Sequence, residues 1–200
     1  MPPKPNPHKI INFIDLGSGP IFERAKKIVT RPHRSKRNVL AIDLEKQAGA
    51  SPAGMVYLQG DAIQKIREIR ETGFRAKVIN GDNFFSEHSI GNRNYLQGKP
   101  RCNAIIEHPI DPKLLEEIKQ ILVKNGRLYA TTVKWHCLPL AEALKKSGFE
   151  VSLRPITEAE AKKSPWTTRE YYSMWNRGEF TNFFGREGWT LYRLVAIKRS

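Results

Sequence analysis

Seven short apolar runs recur along the chain: residues 10–16 (IINFIDL), 38–44 (NVLAIDL), 55–59 (MVYLQ), 76–80 (AKVIN), 127–133 (RLYATTV), 149–156 (FEVSLRPI) and 190–198 (TLYRLVAIK). Each is rich in β-branched, aliphatic or aromatic residues, and most are bounded by Gly, Asp, Asn or Pro. That is the pattern of strands buried on both faces.

Segments with helical spacing lie between the runs. Residues 22–29 form a short amphipathic candidate. Ile63, Ile66 and Ile69 recur every three residues, with Gly73 placed to end that helix. Asp111 and Pro112 open the clearest helix, whose apolar face is Leu114, Leu115, Ile118, Ile121 and Leu122, ending before Gly126. A further helix is expected from Pro139 through Leu140 and Leu144 to Gly148, and Thr157 with Glu160 makes a capping box. Strands alternating with helices predict an α/β fold with a mostly parallel sheet covered on both faces. Residues 158–188, polar and aromatic-rich without strong periodicity, read as an insertion or lid between the last two strands.

Composition bounds this picture without changing it. The chain has 200 residues, 40% of them apolar and 27% charged, which suits one globular domain over residues 10–200. Residues 1–9 are Pro-rich without an apolar stretch; they read as a disordered lead-in rather than a secretory leader. No run is long and apolar enough to span a bilayer. Cys102 and Cys137 show no CxxC spacing, which argues against a disulfide framework or a cysteine-based metal site and makes a reducing cytoplasm the expected location. The net charge of +14 suits RNA or another polyanion, and equally suits a solvated basic surface.

Acids and glycines mark the ends of the first runs. Asp15-Leu16-Gly17-Ser18-Gly19-Pro20 stands where the first strand meets the first helix. Glycines there allow a ligand to approach the backbone closely. Asp43 ends the second run, where a carboxylate can accept from a ribose diol. Gly60-Asp61-Ala62 follows the third, where a carboxylate and a backbone N–H can read an adenine edge. Taken singly, each acid also reads as a helix cap or turn residue. Three acids at the ends of three successive strands form a more specific pattern.

With these residues the chain resembles the class I S-adenosylmethionine-dependent methyltransferases. IDLGSGP resembles that family's first motif, VLAIDLEK its second and YLQGDA its third. DPKLLEEIKQILVKNGRLYATTV is similar to the helix, glycine turn and fifth strand that follow. The resemblance covers roughly residues 10–199. It implies a Rossmann-like three-layer sandwich with a seven-stranded sheet, mostly parallel, whose C-terminal strand is antiparallel. It also implies S-adenosyl-L-methionine as cofactor. Gly17, Ser18 and Gly19 would lie against the methionine part, with Asp15 organising its amino group. Asp43 would bind the ribose, Asp61 and Ala62 the adenine, and Asn80 would line the pocket near the methyl group.

Two features depart from the family pattern. Pro20 and Ile21 stand where the third glycine of the first motif belongs, and residues 48–54 are too rich in Ala, Gly, Ser and Pro for the usual helix after the second strand. A nicotinamide-dependent oxidoreductase fits less well, because Phe22 occupies the third glycine of the dinucleotide fingerprint.

The acceptor is not written in a motif. Asn80-Gly81-Asp82-Asn83 lacks the prolines of the amino-methylating signature, and no Pro-Cys nucleophile occurs. Candidate pocket residues are Asp82, Glu87 and His88 after the fourth run and Lys134, Trp135 and His136 after the fifth, with His136 a candidate base and Trp135 a stacking platform. Glu107 and His108 have no metal-ligand spacing to support them, and no metal is expected. Arg31, His33, Arg34, Lys36 and Arg37 precede the second run, on the face away from the cofactor. Further cations, among them Arg169 and Arg177, alternate with Tyr171, Tyr172 and Trp175. Charge and aromatics together favour an RNA acceptor. A basic RNA-binding protein that keeps the fold without catalysis is the alternative.

Overall fold

The computed structural model describes residues 9–17, 25, 28–29, 38–44, 46–47, 49–81, 112–157 and 191–200. Eight strands, β1 (Ile10–Ile11), β2 (Phe13–Leu16), β3 (Val39–Asp43), β4 (Met55–Gln59), β5 (Arg75–Asn80), β6 (Leu122–Val133), β7 (Phe149–Pro155) and β8 (Leu191–Lys198), form one sheet. Its order is β4-β3-β2-β5-β6-β8-β7, with β1 beside β5. β2 through β6 run parallel, and β8 lies antiparallel between β6 and β7. The strand order reverses between β2 and β5, and in open α/β sheets ligands bind at the carboxyl ends of the strands flanking such a reversal.

Alternation along the strands divides the apolar residues between two faces. Ile14, Leu16, Leu40, Ile42, Ile79 and Leu128 pack against helices α1 (Ala62–Glu71), α2 (Pro112–Ile121) and α3 (Lys134–Lys146). Phe13, Val39, Ala41 and Met55 pack on the other face against Ala25 and Ile28, which are helical. The result is a helix–sheet–helix sandwich. Among the described residues no helix is long and apolar enough to cross a membrane.

Three expected boundaries differ. The first apolar run is two strands, because the Asn12 N–H turns to the Asn38 carbonyl at 3.0 Å. Among the described residues β1 is a two-residue branch that pairs with β5, and it makes the sheet eight-stranded instead of seven. The fifth strand begins at Leu122, directly after α2, and its register on β5 shifts between Ala76 and Val78. Asn125 there has a φ of 61°, and a Cβ on Gly126 would stand 2.8 Å from the Val123 carbonyl oxygen. The local bend therefore requires Gly126. Finally, α3 starts at Lys134 and keeps Pro139 inside it. Pro139 cannot donate to the carbonyl four residues back, but buried Cys137, Leu140, Ala141 and Leu144 hold the helix on the sheet. Lys134, Trp135 and His136, expected in a loop, are thus helical in backbone.

Candidate functional site

The sequence motifs converge because parallel strands end on the same side. Asp15 stands in register with Ala41 on β3 and with Asn80 on β5. Asp43 lies two residues beyond Ala41, and the two-residue period puts it on the same sheet face. Asp15, Asp43 and Asn80 therefore share one face and one edge, the face opposite α1 to α3. The strand exits are tied together by backbone bonds. Gly17 N–H donates to the Ile42 carbonyl at 2.9 Å, Gly60 N–H to Asp43 at 2.8 Å and Gly81 N–H to Tyr129 at 2.8 Å. Gly17 (φ 63°) and Gly60 (φ 145°) turn the chain with backbone angles that side chains disfavour.

Asp15 and Asn80 are fully buried, each with 0% exposure. Asn80 Nδ2 donates to Asp15 Oδ1 at 2.8 Å. The Asn80 oxygen Oδ1 is buried and accepts no hydrogen bond among the described residues. A buried acceptor without a donor is costly, so its position at a strand exit points to a ligand carrying an N–H donor.

Asp61 occupies the N-cap of α1, and its Oδ1 accepts from the Gln64 N–H at 3.0 Å. The capping role read from the sequence is therefore present, and its second carboxylate oxygen remains for another donor. Ala62 follows as the buried first residue of the helix. Leu44, next to Asp43, is 54% exposed, and its carbonyl accepts from Gln59 Nε2 at 3.3 Å.

α1 is braced from behind. Arg67 Nε and Arg70 Nε donate to the two oxygens of Glu117 on α2 at 2.9 and 3.0 Å. Burial works against the Glu117 charge, but the two guanidinium hydrogen bonds outweigh it and hold the carboxyl below the ordinary glutamate range. Sequence reasoning missed this brace, since the partners lie on different helices. It also missed the Asp15–Asn80 contact. Each residue stands at or next to the end of its run with a glycine within two positions, but nothing local joins the first run to the fourth.

Ser18, Gly19, Pro20, Asp82, Glu87, His88, Glu107, His108, residues 31–37 and the expected lid lie outside the described residues. Among the described residues no cluster of three or more His, Cys, Asp or Glu could hold a metal ion.

No family model matches the chain. No curated protein matches its sequence. Solved structures do match its fold. Phosphoethanolamine N-methyltransferase 2 of Haemonchus contortus, in complex with S-adenosyl-L-methionine, aligns with a TM-score of 0.56 at 13% identity over 94% of this chain. The chain spans about half (49%) of that protein. The 16S rRNA methyltransferase KamB aligns with a TM-score of 0.53 at 12% identity, over 96% of this chain and 90% of that one. A SAM-dependent methyltransferase of Methanosarcina mazei gives 0.52 at 11% identity, with 96% and 93% covered. The fold is therefore the Rossmann-like fold of the S-adenosylmethionine-dependent methyltransferases, as the sequence motifs implied.

Proposed function

We propose that this chain binds S-adenosylmethionine across the carboxyl ends of β2, β3, β4 and β5 and directs its methyl group to RNA. The observation that carries the cofactor reading is the buried Asp15–Asn80 pair with its unmatched Asn80 Oδ1, set at a strand exit of a methyltransferase fold. The cofactor's amino group is the kind of donor that atom lacks. When bound, the cofactor supplies a methyl carbon made electrophilic by its sulfonium.

The chain's residues hold and orient. Gly17 keeps a side chain out of the way where the cofactor approaches the backbone, and Ser18 and Gly19 follow it in the motif. Asp43 accepts from the ribose hydroxyls. The free oxygen of Asp61 accepts from the adenine amino group, beside Ala62. Asp15 faces the amino group, shaped by Asn80. Transfer then depends mainly on alignment of acceptor and methyl donor.

The RNA acceptor is supported by the net charge of +14 and by the cations interleaved with Tyr171, Tyr172 and Trp175. That KamB, a 16S rRNA methyltransferase, shares the fold is compatible with it. Titration calorimetry with S-adenosylhomocysteine tests the cofactor, and micromolar binding is expected. Labelled methyl transfer to total RNA tests the acceptor. Pro20, in place of the third glycine, favours one rival: a protein that binds RNA without methylating it. That rival predicts salt-sensitive RNA binding unaffected by the cofactor, and methyl incorporation would exclude it.

A further inference from the structure

We infer that Asn80 is a positioning residue that acts through Asp15, holding its carboxylate toward the cofactor's amino group, and is not an independent contact to the transferred methyl. The inference rests on the proposed cofactor site and assigns one residue's role within it.

The geometry is specific. Asp15 is the penultimate residue of β2 and Asn80 ends β5, two neighbouring parallel strands, and the two residues stand directly in register. Their Cβ atoms therefore project from the same face at the same level. Both side chains are fully buried, and the bond between Nδ2 and Oδ1 is 2.8 Å. An amide nitrogen can only donate, and a carboxylate oxygen only accepts, so the pair has a fixed polarity. Asn80 uses one Nδ2 hydrogen on Asp15. Its Oδ1 is left as a buried acceptor with no partner among the described residues, on the same side chain and therefore beside the carboxylate. The Asn80 Oδ1 and the Asp15 carboxylate are acceptors on contacting side chains, which suits a donor-rich ammonium.

Aspartate at position 80 would keep the shape and remove the donor. Two carboxylates would then face each other in a buried site, where like charges repel strongly. Exchanging the two side chains would restore one amide and one carboxylate.

The test is a double-mutant cycle read by S-adenosylhomocysteine affinity, with thermal melting as a check on folding. Asn80→Ala and Asp15→Ala should each weaken binding by roughly tenfold or more, the loss of one hydrogen bond involving a charged group. The double variant should bind within about twofold of the weaker single variant, because both remove one shared interaction. Asn80→Asp should bind more weakly than Asn80→Ala, and Asp15→Asn combined with Asn80→Asp should recover part of that loss. If an alanine variant fails to fold, Asn80→Ser, whose hydroxyl still donates, should bind between wild type and Asn80→Asp. Multiplying losses in the cycle, or wild-type affinity in Asn80→Asp, would overturn the positioning role while leaving the cofactor site standing. A wild-type protein that binds no S-adenosylhomocysteine would remove the cofactor site and the positioning role together.

Discussion

Asp61 has two jobs in the structure proposed above, and substitution can separate them. Its Oδ1 caps α1 through the Gln64 N–H at 3.0 Å, from an extended backbone (φ −63°, ψ 131°). The first turn of α1 carries no other acid, so Asp61 is also the charge that complements the helix N-terminus. Asp61→Ala removes the cap. The expected cost is about 1 kcal/mol. The rest of α1 remains anchored by buried Ile66 and by the Glu117 brace, so only the first turn should fray. For a chain of this size that loss lowers the Tm by roughly 2–4 °C. Asp61→Ser retains a capping oxygen and should melt like wild type. Cofactor affinity should behave differently. A carboxylate accepting from the adenine amino group contributes about 1.5–3 kcal/mol, so both variants should bind S-adenosylhomocysteine some 10- to 100-fold more weakly. Calorimetric titration paired with thermal melting reads both quantities from the same samples. If Asp61→Ser binds like wild type, the carboxylate is a cap alone and its assignment to adenine is wrong.

Other expectations follow from the same geometry. Asp43→Ala should weaken S-adenosylhomocysteine binding by about tenfold or more through loss of the ribose acceptor, as titration would show. Glu117 has a lowered pKa in the folded state, so the stability it contributes is present above the unfolded carboxylate value and is lost as pH falls below about 4.5. Glu117→Gln should therefore melt lower than wild type near neutral pH and converge with it in acid; an unchanged gap at low pH would contradict the brace. Ile118 on α2 has no exposed surface. Ile118→Ala should cost about 2–5 kcal/mol in denaturant unfolding, and a loss under about 1 kcal/mol would mean that α2 is not packed as described.

Local patterning made most elements legible. The runs at 38–44, 55–59 and 76–80 are β3, β4 and β5 within a residue at each end; β3 is buried on both faces, while edge strand β4 leaves Val56 exposed and is marked by its aliphatic and aromatic residues between turn signals. Ile63, Ile66 and Ile69 marked α1, and Gly73, with a φ of 89°, follows its end as expected. The boundaries that failed were those where tertiary contacts override a local signal. Pro139 looks like a helix start, but the buried side chains around it carry α3 back to Lys134. Asn12 reads as part of a strand, but its N–H is drawn to Asn38.

The site divides the same way. Sequence alone placed Asp15, Gly17, Asp43, Asp61 and Asn80 at strand exits, since a strand that ends in an acid or amide and a glycine turn is a local event. That Asp15 and Asn80 touch is not local: 65 positions separate them, and only the parallel pairing of β2 with β5 aligns them. Arg67 and Arg70 meet Glu117 across 50 and 47 positions because α1 and α2 pack side by side on one face. Likewise β8 enters between β6 and β7 to satisfy backbone groups on both neighbours. Periodicity reports which side of an element is buried; which element buries it, and so which polar groups meet, is set by the assembled sheet.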